Sequence, residues 1–241
     1  MTVGAPSLAD VLDWQQTWPA TEEFNCGGWR LRGAEGWTKR CNSALAAPSE
    51  VPIGELVERT AAFYRDRQLT GCIVEHDCLP VPGLAEELDS RGWRTRARDS
   101  VMAIDVAELA ADHHEVVIFD SAAHRRPESG WDRWIEAYDR GSGGLPAVAH
   151  RVLLGSPSQL FAMVLDRDGT AVGVSRVGVA RRWAGLNCVW VDPDHRGRGL
   201  ATTMLEQLSA ALTVRGIARL QLAVDHTNLT AATLYRHLGF H

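Results

Sequence analysis

The chain lacks any Cys-x-x-Cys pair, any stretch approaching ~18 uninterrupted apolar residues, and any surplus of basic side chains. Each absence removes a class of function. The five cysteines (Cys26, Cys41, Cys72, Cys78 and Cys188) are odd in number and widely separated. They indicate neither a zinc cluster nor a disulfide framework, so reduced thiols are expected and no metal is called for. With 25 basic against 30 acidic residues, the formal net charge of −5 supplies no field that would gather nucleic acid or an anionic membrane, and neither is expected as a partner. Residues 1–14 carry no basic segment followed by an apolar core, so no export leader is read and a cytoplasmic location is expected.

What is present is the composition of a folded protein, 45% hydrophobic over 241 residues, enough for one large core or two small ones. The most informative stretch is residues 189–201. There Val189, Trp190 and Val191 close a β-branched run that stops at Asp192-Pro193, because proline cannot donate to a sheet ladder. Gly197 and Gly199 let the backbone turn, and an amphipathic helix is expected from about Gly199 to Val214 with Leu200, Met204, Leu208 and Leu212 on one face. The first N–H groups of such a helix have no partner inside it and carry the positive end of its dipole. Arg196 and Arg198 add formal charge, so strand, loop and helix start together form an anion site suited to phosphate.

The order Arg196-x-x-Gly199-x-Ala201 resembles the pyrophosphate loop of the GNAT acetyltransferase superfamily. Further landmarks follow in the family's order: a short strand, Leu220 to Val224, and then Asn228-x-x-Ala231-x-x-Leu234-Tyr235-x-x-x-Gly239-Phe240. The resemblance covers residues 189–240. It implies an α/β fold with a mostly antiparallel central sheet, splayed at the cofactor site and flanked by helices. It also implies an acyltransferase that uses acetyl-coenzyme A as cosubstrate and transfers the acetyl group to a primary amine of a small molecule or peptide.

The site residues come with that resemblance. The main chain of Val189, Trp190 and Val191 would pair with the pantetheine arm, and Arg196, Gly197, Arg198, Gly199, Leu200 and Ala201 would hold the pyrophosphate. Asn228 would cap the following helix and hydrogen-bond the coenzyme arm. Tyr235 matches the position whose hydroxyl lies near the coenzyme A sulfur, and a phenol of unperturbed pKa ~10 is protonated at neutral pH and able to serve as a general acid. Many family members place Glu or His on the central strand as the base, and Leu186 to Val191 offers neither. His226 and an ordered water chain remain as alternatives.

The preceding residues read as a degenerate copy of the same plan. A helix over 8–17, two strands at Gly28–Leu31 and Trp37–Leu45 about a turn at 33–36, a helix from Pro52 to about Gln68, a strand at Cys72–Glu75, a helix at Leu84–Ser90 and a long strand at Arg94–Val106 are expected. Where the second half has its phosphate loop, the first has residues 46–52, with two prolines, a carboxylate and no Arg-x-x-Gly. A nonbinding GNAT-like domain over 1–110 and a catalytic domain over 111–241 are therefore expected. Within the latter, Val116–Phe119 should open the sheet, and Trp131, Trp134, Ile135 and Tyr138 share a helical face whose Trp134 and Tyr138 are either core or acceptor-pocket wall.

GNAT domains usually continue beyond the Gly-Phe pair, whereas His241 ends this sequence. Either a tail is missing or another segment, with Arg94–Val106 the candidate, closes the sheet. A noncatalytic acyl-coenzyme A sensor and an aminoglycoside-type acetyltransferase are the alternative functions, the latter drawing on Glu128, Asp132, Glu136 and Asp139 for an acidic cleft. Homodimer formation is compatible with this reading.

Overall fold

The computed structural model describes residues 6–113, 115–120 and 130–241, and resolves them into two compact units. Of the described residues the first comprises 6–12, 18–97 and 146–155, and the second 13–17, 98–113, 115–120, 130–145 and 156–241.

In the first unit a four-stranded sheet runs in the order β1 (Glu22–Cys26), β2 (Trp29–Gly33), β3 (Ser43–Leu45), β4 (Cys72–Val74). β1–β2 and β2–β3 are antiparallel; β3 and β4 are parallel and joined through helix α2 (Ile53–Asp66), after which comes α3 (Leu84–Ser90). Two features depart from expectation. The hairpin lies one strand earlier, with its turn at residues 27–28, because the mostly polar Glu22 to Asn25 segment forms an exposed edge strand. Residues 37–42 are not a strand: the buried side chain of Asn42 accepts from the N–H groups of Ala34 and Gly36 and donates to the carbonyls of Trp37 and Thr38 at 2.9–3.1 Å, tying the segment into a loop.

The second unit is built on a six-stranded sheet in the order β5 (Asp99–Asp105), β10 (Arg219–Asp225), β9 (Trp183–Val191), β8 (Ala171–Ala180), β7 (Ser158–Leu165), β6 (Val116–Asp120). All neighbours are antiparallel except β9 and β10, which are parallel and linked through α7 (Leu200–Val214), as a parallel pair requires a crossover. Every residue of β8 is buried, which explains its near-continuous run of small and aliphatic side chains. α7 lays Met204, Leu205, Leu208 and Leu212 into one core with Val177, Leu186 and Leu222, and each such side chain contributes roughly 1.5–3 kcal/mol by leaving water. α8 (Leu229–His237) joins the same core.

The sheet is closed at one edge by β5, the C-terminal part of the expected Arg94–Val106 strand; residues 93–98 are not strand. On its other side Ala103 exchanges both backbone hydrogen bonds with His241, at 2.8 and 3.1 Å. The remaining helices are α1 (Leu8–Thr17), α4 (Val106–Leu109), α5 (Trp131–Ser142) and α6 (Val148–Leu153). Among the described residues no helix is long and apolar enough to cross a membrane.

Candidate functional site

The second unit's β9 and β10 pair only through Trp183–Gly185 and Arg219–Gln221, although β9 runs on to Val191 and β10 to Asp225. Beyond Gly185 the two strands part and leave a wedge between them. β9 is also bulged there: Arg176 of β8 faces Asn187 and Val174 faces Trp190, so Cys188 and Val189 together oppose the single Ser175. Cys188 carries the bulge in the left-handed region, with φ of 57°, a conformation a non-glycine residue adopts at a cost. The bulge alters which backbone groups of β9 face the wedge, since the alternation of a regular strand is interrupted there.

After Val191 the chain enters a short 3-10 turn, Pro193–His195, capped by the Asp192 carboxylate, which accepts from the Asp194 N–H at 3.0 Å. That hydrogen bond, helped by nearby His195, holds the Asp192 carboxyl below the usual carboxylate range. Arg196 Nε donates to the Val191 carbonyl at 3.1 Å and Arg198 Nη2 to the Asp194 carbonyl at 3.0 Å, so both exposed guanidinium groups are folded over the loop. Gly197 and Gly199 have φ of 73° and 78°, and a Cβ on either would meet no protein atom within 4 Å. Space therefore lies open beside the loop, and left-handed backbone is the reason for both glycines.

Gly199 is the N-cap of α7, and no side chain caps the helix. Among the described residues the N–H groups of residues 197–202 have no backbone acceptor, and Thr203 makes the first bond, to Gly199 at 3.0 Å. A row of donors, the dipole of a 15-residue helix and two guanidinium groups thus face open space. The donor set fits a diphosphate.

Leu200, Val189 and Val191 pack against the large core cluster of which Tyr235 is one member. Tyr235 is 8% exposed, with its ring 5.7 Å from that of Phe240 in edge contact. Asn228 caps α8, its Oδ1 accepting from the Ala231 N–H at 3.2 Å. Trp190 sends its side chain to α5: a Cβ on Gly141 would strike its ring, and the Arg140 guanidinium lies 5.8 Å away.

Other candidates separate. Trp134 is fully buried and its Nε1 donates to the carbonyls of Ala162 and Ser175, each at 3.1 Å, which makes it core and not a pocket wall. Tyr138 is half-buried beside it. Asp132, Glu136 and Asp139 are exposed, Glu128 lies outside the described residues, and His226 is exposed with its N–H bonded to the Arg98 carbonyl. No group of three or more metal-ligating side chains occurs among the described residues.

The corresponding place in the first unit is built differently. The Ala46 N–H bonds the Val74 carbonyl at 2.9 Å and so completes the last rung of the parallel pair β3–β4, whose two strands end together at Leu45 and Val74. At the start of α2, Gly54 faces Glu87 and Arg91, which pair with each other at 2.6 Å, and Arg91 also reaches Glu58 at 3.1 Å. Side chains of the unit itself occupy the helix start.

Residues 14–241 match a protein-family model described as "Probable histone acetyltransferase Rv0428c C-terminal". An uncharacterized N-acetyltransferase, YobR of Bacillus subtilis, is 27% identical over 227 residues, covering 93% of this chain and 90% of the relative. Two solved structures share the fold. A GCN5-related N-acetyltransferase from Kribbella flavida superposes with a TM-score of 0.62 at 17% identity, over 97% of this chain and 89% of its own. A tandem GNAT protein from the clavulanic acid biosynthesis pathway gives 0.60 at 17% identity, over 99% and 86%.

Proposed function

We propose, from the premise that this chain belongs to the Rv0428c C-terminal acetyltransferase family within the GNAT superfamily and is an acyltransferase, that it moves an acetyl group from acetyl-coenzyme A directly to a primary amine. The observation that carries the cofactor reading is the row of open N–H groups at residues 197–202, set at the end of a strand that has parted from its neighbour. Arg196 and Arg198 neutralise the diphosphate there, while Gly197 and Gly199 keep side chains out of its way. Backbone groups of Val189 to Val191, freed from β10, bind the pantetheine arm, and N–H groups at the bulge hold the thioester oxygen as charge develops on it.

The amine nitrogen attacks the thioester carbon as the carbon–sulfur bond breaks. Tyr235 gives its hydroxyl proton to the departing thiolate, and the nitrogen, cationic once it has attacked, releases a second proton through solvent that restores the tyrosine hydroxyl. The amine must lose its own proton first, being neutral in fewer than about one molecule in a thousand at pH 7. With no carboxylate or imidazole on Leu186 to Val191, a water chain or the exposed His226 takes it.

The first unit, filled at its helix start and unsplayed, is the nonbinding half of a tandem arrangement. Release of free thiol from acetyl-coenzyme A, screened over amino acids, polyamines, aminoglycosides and peptide N-termini, tests the reaction. Turnover with at least one amine is expected. Tight binding of acetyl-coenzyme A with no thiol release from any amine would instead identify a sensor.

A further inference from the structure

A buried polar cluster lies where β9 and β10 part, on the sheet face opposite α7. Thr17, the last residue of α1 and part of the second unit, is its centre. Its carbonyl accepts from Arg176 Nη1 of β8 at 3.0 Å and from Ser156 Oγ at 3.0 Å, and Arg176 Nη2 donates to that same Ser156 oxygen at 2.8 Å. Its hydroxyl donates to the Trp14 carbonyl at 2.7 Å and accepts from Gln221 Nε2 of β10 at 3.4 Å. Arg176 is completely buried, and Thr17 is 1% exposed.

Two glycines record how closely Thr17 sits. A Cβ on Gly178 of β8 would overlap the Thr17 carbonyl, and one on Gly185 of β9 would overlap its hydroxyl. Gly185 and Gln221 are the last pair that β9 and β10 make before they separate. Arg176 pairs with Asn187, the last regular pair before the bulge. One residue therefore touches all three strands at the point where the wedge opens, and its partner Arg176 sits beside the bulge.

We infer that Thr17, held by Arg176 and Gln221, is a positioning residue that sets where the wedge opens and thereby aims the β9 backbone groups at the thioester oxygen. The inference rests on the proposed acetyl-coenzyme A reading of the wedge. Arg176 contributes a two-pronged anchor that a single ammonium could not reproduce. Backbone donors of this kind act through placement, and an error near 1 Å from a distant change can cost about a hundredfold in rate. The proposed diphosphate site is built from residues 196–202, whose two guanidinium groups bond the Val191 and Asp194 carbonyls, so cofactor affinity and turnover should respond differently.

The test uses the full chain. Thr17→Val keeps the shape and removes the hydroxyl, Thr17→Ser keeps the hydroxyl, and Gln221→Met removes the donor on β10. Coenzyme A affinity is measured by calorimetry, thermal midpoint by scanning, and kcat by thiol release with an amine accepted by the parent. For Thr17→Val, coenzyme A binding within about twofold of the parent and kcat reduced roughly ten- to hundredfold are expected, with Thr17→Ser close to the parent. Gln221→Met should follow Thr17→Val more mildly, and it decides the matter should Thr17→Val fail to fold. A lowered thermal midpoint with parental kcat would make the cluster a purely structural clamp and overturn the inference. So would parallel loss of kcat and coenzyme A affinity. If the parent itself bound no coenzyme A, the cofactor reading would fail, and the inference with it.

Discussion

Tyr235 and Gly199 carry different parts of the proposed chemistry, and single substitutions separate them. Tyr235→Phe removes one oxygen and leaves the ring against Phe240, so the core it belongs to should be retained. If its hydroxyl protonates the departing thiolate, kcat should fall by about 10²–10⁴ with little change in acetyl-coenzyme A affinity, measured with an amine for which chemistry is rate-limiting. Equal kcat would assign the side chain to packing. Gly199→Val places a β-branched side chain in a left-handed position and into the space beside the open N–H row. Loss of coenzyme A binding by calorimetry is expected, and parental affinity would refute the loop assignment. The spacing of glycines and arginines made this loop readable, since turns and charge are written locally. Arg176 is the contrary case: its buried partner Thr17 lies 159 positions away, and the only signal was a charge within an otherwise small and aliphatic run.

At the level of elements, the two helices that border the site begin in opposite ways. α8 is capped by Asn228, so Asn228→Ala should lower stability by about 1 kcal/mol in a denaturant titration even without cofactor. α7 has no side-chain cap, and its start is held by the preceding loop, whose first turn depends on Asp192. Because the Asp192 carboxyl titrates below its usual range, its stabilisation of the loop is present at neutral pH and is lost as pH falls through the depressed value. Coenzyme A affinity should accordingly weaken at acid pH, and Asp192→Asn should flatten that part of the profile.

The long helix α7 was legible from apolar spacing. The edge strand β1 and the loop at residues 37–42 were not. Glu22 to Asn25 has a single apolar side chain, the exposed Phe24, too little to advertise a strand, and the apparent strand of Trp37 to Asn42 is folded up by hydrogen bonds from a single buried amide.

For the whole molecule, the second sheet depends on β5, which precedes residue 111 yet pairs along the full length of β10. A fragment of residues 112–241 would expose β10 as an open edge, and it should aggregate or dimerise on size-exclusion chromatography. A well-behaved active monomer would show that β5 is dispensable.

The sequence by itself determined the glycine–arginine loop before α7, the capped helix with its tyrosine, and the strand–helix–strand order repeated in the two halves. Those features arise from neighbours within a few turns, where backbone geometry and residue type act directly. Only the tertiary structure decided that β5 closes the second sheet, that β9 bulges at Cys188, and that Thr17 sits where β9 and β10 part. Each of these depends on strands and side chains far apart in the chain, whose pairing is chosen by burial and by hydrogen bonds that no local spacing records.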